Sequence, residues 1–294
     1  MKSCEKYVAP ESDYYVHTPG KSAREMFFYP LQCGHFIYEA GYSLRRESYD
    51  SFLLMYIQKG SLVLDLENQT VPVSAGCFVL LDCYRSHAYA SESGWECLWC
   101  HFDGIVARQW YTAVTARLGN AFVLPDPSAL GRLTAIYDTF AAGSPVREPL
   151  MSKYLSDILT AFLLSAPLEN GSRSHTNMAE EIMTYINEHF TESITVEELA
   201  AKAGLSPCHF IRIFRKEAGF TPHEYLIHTR LSTARYLLKN SDRAVKDICF
   251  RSGFSSESVF CSSFKKHFGM TPAQYRASGA ADLFSIPPSP AEYS

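Results

Sequence analysis

The chain has 294 residues, a formal net charge of −4 and a pI near 6.2. The length allows two ordinary domains, and the acidic balance excludes a general nucleic-acid coat. Nine cysteines, an odd number, argue against a disulfide framework, and with no secretory signal or long apolar span in view the composition fits a cytoplasmic protein with buried thiols and no membrane partner.

The N-terminal arm, up to Gly20, shows no strong period. Residues 52–57, 62–66, 77–81 and 96–102 are short apolar or alternating runs rich in β-branched and aromatic side chains, separated by Lys59-Gly60, Glu67-Asn68 and Ser93-Gly94. They read as strands and turns of a small barrel or sandwich. Cys97 and Cys100 are spaced C-x-x-C, yet side chains three apart on a strand face opposite sides, so the pair cannot grip one ion there. After Gly104 the period changes. Residues 105–118, 128–142 and 150–166 carry apolar side chains three and four apart, notably Leu155, Ile158, Leu159, Phe162 and Leu163, and are expected as helices. Residues 167–177 are polar, with Gly and Ser, and read as a flexible linker between domains at 1–166 and 178–276; the tail, 277–294, is expected to be disordered.

The most informative segment repeats itself. VEELAAKAGLS (196–206) returns as VKDICFRSGFS (245–255). After one inserted residue, Phe210, Phe214, Lys216, Gly219, Thr221, Pro222 and Tyr225 recur as Phe260, Phe264, Lys266, Gly269, Thr271, Pro272 and Tyr275. Each copy reads as a short helix, a turn at Gly204 or Gly253, and a second helix capped by Ser206 or Ser255: a helix-turn-helix, twice. On the helix over 207–218, Phe210, Ile213 and Phe214 form an inward stripe and leave Cys208, Ile211, Arg212 and Arg215 outward. The second copy turns out Ser258, Cys261, Ser262 and Lys265, with Glu257 beside them. Residues 222–238 read as one connecting helix of about 25 Å, long enough to hold two heads near one duplex turn, ~34 Å, apart. Charge follows the repeat: residues 202–276 hold thirteen lysines and arginines against five acids, a net of +8, while residues 1–201 stand at −10. A helical bundle with a solvated basic face is the bland alternative. Duplication, with Arg212 and Lys265 outward in equivalent registers, favours double-stranded DNA as partner.

Over residues 179–276 the chain resembles the AraC family of bacterial transcription regulators, most specifically in ICFRSGFSSESVFCSSFKKHFGMTPAQYR (248–276). The resemblance implies an α+β protein: an N-terminal cupin-like β-barrel (jelly roll) with dimerisation helices, then an all-α double helix-turn-helix domain whose two recognition helices enter major grooves. It implies base-edge roles for Cys208, Ile211 and Arg212 in the first head and for Glu257, Ser258 and Ser262 in the second. Two positions depart from the family pattern. Cys249 stands where alanine is usual, a conservative packing change; Ser262 stands where many members have arginine, which implies a weaker second reader.

Aligned with sugar-sensing members of that family, Arg45 falls at the arginine that meets the sugar, Tyr89 at a pocket tyrosine, Trp95 at the tryptophan under the ring, and Cys97 in place of a ligand-bonding histidine. The resemblance therefore implies a small-molecule effector, a carbohydrate other than arabinose or an acid sugar, since planar donors and aromatic faces suit such ligands. It also implies an arm that folds over the ligand, with Tyr14, Tyr15 and Pro19 placed to close a pocket. Many cupins hold a metal through several histidines and a glutamate. Here His87 and His101 each lack a second histidine two residues away, so neither metal nor other cofactor is expected. The resulting expectation is not an enzyme but a homodimeric activator that binds DNA, answers a small molecule and recruits RNA polymerase. A cupin isomerase or dioxygenase with a DNA-binding appendage, or a constitutive regulator whose barrel is only a dimer scaffold, are the alternatives.

Overall fold

Strands with alternating inward and outward side chains dominate the first of two units into which the chain divides, Met1–Pro167 and Leu168–Ser294. The computed structural model describes residues 1–2, 5–66, 69–165 and 175–278, those at 175–177 by backbone alone. The expected linker therefore lies mostly outside the described residues, as does the tail beyond residue 278.

In chain order the first unit contains β1 (Asp13–Val16), α1 (Lys21–Met26), β2 (Phe28–Tyr38), β3 (Ser43–Arg46), β4 (Phe52–Leu66), β5 (Gln69–Ser74), β6 (Cys77–Asp82), β7 (His87–Ala90) and β8 (Trp95–Gly104). It ends with α2 (Ala107–Leu118), β9 (Ala121–Val123), α3 (Ser128–Ala141) and α4 (Glu148–Ser165). One strand, β4, serves two sheets. Its first part pairs with β6 and β8, its second with β5 and β7, and the register with β8 slips between Ile57 and Lys59. The turn expected at Lys59-Gly60 is thus a bulge inside one long strand, which bends it from one layer into the other. One layer runs β1-β2-β8-β4-β6-β9 and the other joins β3, β7, β4 and β5. The domain is the sheet-rich, cupin-like fold expected, and the ladder among its described strands stays open.

Alternation along β8 divides its side chains between two cores. Leu98, Cys100 and Phe102 pack with Leu155, Ile158, Leu159 and Phe162 of α4, while Trp95, Cys97 and Trp99 face the space between the layers. Cys97 and Cys100 accordingly belong to different cores. Leu155, Ile158, Leu159 and Phe162 of the α4 stripe are buried against their own sheet and α3, and Leu163 is half-buried beside them. Leu164, 82% exposed, and Leu150, 38% exposed, are large apolar side chains that α4 leaves outside.

The second unit is helical: α5 (His175–His189), α6 (Val196–Ala203), α7 (Pro207–Ala218), α8 (Pro222–Asn240), α9 (Val245–Arg251), α10 (Glu257–Phe268) and α11 (Pro272–Ala277). Helix α5 starts inside the span expected as linker. Capping boxes at Thr195/Glu198, Thr221/Glu224 and Thr271/Gln274 start α6, α8 and α11, and left-handed Gly219 and Gly269 stop α7 and α10. Phe210, Phe214 and Leu226 belong to one core; Phe260, Phe264, Leu231, Ala234 and Leu238 belong to another. Helix α8 contributes to both. The cap of α10 is Ser256, whose hydroxyl accepts from Val259 N, rather than Ser255. The inserted residue of the second copy is thereby absorbed in the turn, and the recognition helices keep the same register.

Between the two cores, Arg230 of α8 donates from Nε to Phe190 O and from Nη2 to Glu192 O, each at 2.7 Å, and so satisfies carbonyls beyond the end of α5. Gly253 closes against the same place. It has φ +81°, and a Cβ there would lie 2.5 Å from Phe190 O and 2.8 Å from Thr191 Cα. Gly204, its counterpart, has φ +68° with open space around it. In urea melts of the full chain, Gly204→Ala is expected to lose about 1 to 2 kcal/mol, the ordinary left-handed cost. Gly253→Ala is expected to lose clearly more, and equal losses would show that the Phe190 contact contributes nothing.

Candidate nucleic-acid interface and ligand cavity

Helix α7 buries Phe210, Ile213 and Phe214 and leaves Cys208, Arg212 and Arg215 exposed, with Ile211 half-buried beside them. Helix α10 buries Phe260 and Phe264 and exposes Glu257, Ser258, Ser262 and Lys265. Arg212 and Lys265 form no ion pair with a described residue, so both cations are available to phosphates or bases. Glu257 lies 3.8 Å from Lys246 Nζ, an exposed pair of little energetic weight. Ser262 Oγ is engaged internally, near Ser258 O at 2.8 Å and Val259 O at 3.1 Å. Its proton is used within the helix, and its oxygen remains able to accept. Val259, 52% exposed on the same helix, is a residue that the polar outward set passes over. An apolar side chain outside the Phe260/Phe264 stripe is the sequence signal for it, and a thymine methyl is what it can meet. Helix α8, at nineteen residues, is about 28 Å long.

In the first unit, a cavity of about 400 Å³ opens between the layers, lined by Gln32, Phe36, Tyr38, Tyr42, Arg46, Tyr49, Leu53, Met55, Tyr89, Trp99 and His101, with Glu5 and Tyr14 from the N-terminal arm. Of the four sensor residues expected, only Tyr89 lines it. Arg45 points to solvent and pairs with Asp65, because β3 alternates and Leu44 packs inward. Arg46, two residues after Leu44, takes the inner place. Trp95 and Cys97 share the inner face of β8 but sit behind the lining, Trp95 stacked on Tyr38 with ring centroids 4.0 Å apart. The cavity opens further along the same strand, at Trp99 and His101. Gly34 makes room for that tryptophan: a Cβ there would meet Trp99 Cζ2 at 2.7 Å and Asp13 O at 2.5 Å. From the arm, Tyr14 reaches the cavity, Tyr15 turns to Tyr137 and Phe140 on the opposite face, and Pro19 is not part of the lining.

The polar groups of the lining are largely neutral. His101 Nδ1 lies 2.8 Å from Ser51 Oγ, and burial, reinforced by Arg46 and His87, holds its pKa down at about 3. Burial pushes the Tyr38 and Tyr89 hydroxyls well above their ordinary range and, behind the lining, raises the Cys97 thiol to about 12. Gln32 Nε2 donates to Tyr49 Oη at 2.6 Å, and Tyr42 Oη donates to Glu5 at 3.1 Å. This is a binding surface of aromatic faces and hydroxyls, with Arg46 as its cation. Among the described residues, no three His, Cys, Asp or Glu side chains converge on a point where a metal could sit.

The family described as "AraC-like ligand binding domain" matches residues 29–158, and that described as "Helix-turn-helix domain" matches residues 199–278. The "Probable transcriptional regulator LumQ" of Photobacterium leiognathi is 34% identical over 219 residues, which are 74% of this chain and 86% of that protein. The chain belongs to the AraC family of transcriptional regulators. The "Msm operon regulatory protein" of Streptococcus mutans is 26% identical over 251 residues, 81% of this chain and 88% of that one. The "HTH-type transcriptional activator RhaS" of Klebsiella pneumoniae is 30% identical over 174 residues, 59% of each chain. These AraC-family relatives and domains are transcription regulators rather than enzymes, and the DNA interface of this member is its pair of helix-turn-helix units.

Arg212 is long, exposed and without an ion-pair partner among the described residues, and it is suited to a bidentate contact with guanine. Arg212→Ala is expected to cost about 1 to 3 kcal/mol of specific binding and to relax preference at one base pair when affinity is measured across a randomised DNA pool. A uniform loss over all sequences would make it a phosphate anchor instead.

Proposed function

We propose that the protein is a cytoplasmic, homodimeric transcription activator whose first unit senses a cyclic, hydroxylated small molecule of the carbohydrate class and whose second unit recruits RNA polymerase at its DNA sites. The observation that carries the sensor reading is the convergence of Arg46, Gln32 and several phenol hydroxyls with the flat faces of Trp99 and Tyr49 on one cavity. Planar donors grip ring hydroxyls, and aromatic faces cover the CH side of such a ring. The activator reading rests on kinship with a relative described as an activator. In the first head Cys208, Ile211, Arg212 and Arg215 face the major groove, and in the second Glu257, Ser258, Ser262 and Lys265 do so, with less discrimination.

Ligand and DNA are coupled only if the ligand prefers one arrangement of the protein. The N-terminal arm supplies the means. Its Glu5 and Tyr14 line the cavity, so filling the cavity changes what holds the arm. The assay is a mobility-shift titration of the full chain on DNA from upstream of its own gene, with and without a panel of monosaccharides. A several-fold change in affinity with one member is the expected result; identical curves across the panel leave the barrel as a dimer scaffold only. For whichever ligand binds, Gln32→Leu is expected to weaken it by about 0.5 to 1.5 kcal/mol, the net worth of one neutral hydrogen bond. Arg45→Ala is expected to change nothing, which calorimetric titration resolves.

A further inference from the structure

We propose that the effector is an anion: a carboxylate carried on a flat or ring-shaped small molecule and taken by the Arg46 guanidinium. This rests on the cavity being the effector site. The central observation is a half-buried cation without a counter-ion among the described residues. Arg46 is half-buried at the cavity and its guanidinium carbon lies 5.0 Å from the centroid of the Tyr49 ring, and no described carboxylate forms an ion pair with it. Its neighbour Arg45, out in solvent where a partner matters least, has Asp65. A guanidinium presents five N–H donors in a fixed fork, and holding that charge partly out of water without acceptors is unfavourable until a ligand supplies them.

Trp99 lines the cavity beside it, but its indole Nε1 is closed off from the open space, so Arg46 is the donor on which the assignment rests. Around Arg46, the Tyr38 and Tyr89 hydroxyls stay protonated and His101 stays neutral. Glu5 is the carboxylate of the lining; it is exposed, on the N-terminal arm, and accepts from the Tyr42 hydroxyl. Water screens its charge more than that of Arg46. The inner wall therefore carries Arg46 as a cation among neutral groups that both donate and accept. A carboxylate is an acceptor with two oxygens whose spacing matches the guanidinium fork. A cavity of about 400 Å³ is of a size to hold a uronic acid or a hydroxylated aromatic acid.

Differential scanning fluorimetry of the full chain with matched acid and neutral ligands at equal ionic strength tests this. The pairs are D-galacturonate with D-galactose, D-glucuronate with D-glucose, and para-hydroxybenzoate with its amide. At least one acid is expected to raise the Tm while its neutral partner does not. Arg46→Gln is expected to weaken that acid roughly ten- to a hundredfold, Arg46→Lys to weaken it less, and Arg45→Gln to leave it unchanged. If Arg46→Gln proves unstable, Arg46→Lys keeps the test, because a ligand without charge should not distinguish lysine from arginine by charge and an acid held by the fork should lose affinity. A neutral ligand that binds the wild-type and Arg46→Gln chains alike overturns the charge assignment and leaves the sensor reading standing. A panel in which neither half binds overturns both.

Discussion

The two reading helices are held together by Arg230. It stands at the middle of α8, between the part that belongs to the first core and the part that belongs to the second, and it donates both of its bonds to carbonyls just past the end of α5. Gly253 packs onto the same backbone because it has no side chain. The turn of the second helix-turn-helix is thereby fixed against the first. A pair of heads that must reach successive grooves needs a fixed separation and a fixed rotation. Helix α8 supplies the first, and the meeting of Arg230, Phe190 and Gly253 supplies the second.

Much of this was legible in the sequence wherever a short period met an unambiguous residue type. The bounds expected for α7, 207–218, are those observed, since proline, the Phe210/Ile213/Phe214 stripe and Gly219 mark start, face and stop. The long strand β2 is much less legible. It contains Pro30 and Gly34, both of which read as breakers, but Pro30 lies at a slip in register with β8 and Gly34 lies where Trp99 and the arm approach. Arg45 and Arg46 show what strand alternation decides: Arg45 is turned to solvent and Arg46 to the cavity. Alignment chose Arg45, whereas period two, counted from the inward Leu44, selects Arg46. The stripe on α4 is a different kind of ambiguity: a row of apolar side chains says that something covers it, and here its own sheet does. No local pattern distinguishes that from a second chain.

The cavity illustrates why binding residues are harder to read than a core. Trp95 and Trp99 are four residues apart on one strand and face the same way. One is packed under Tyr38 and the other reaches open space, and the difference lies in Gly34 on a neighbouring strand and in the arm that pairs beyond it. Burial also sets the chemistry. The same desolvation that keeps His101 neutral and the tyrosines protonated leaves Arg46 as the cation of the inner wall.

Because the phenylalanines of the two halves fill separate interiors, Phe210 and Phe214 in one and Phe260 and Phe264 in the other, a change on the outer face of one half need not disturb the packing of its twin. After duplication, each half is free to drift. The outward sets already differ, Arg212 and Arg215 on one helix against Glu257, Ser258, Ser262 and Lys265 on the other, so one module can change what it presents to a promoter while the other keeps its own.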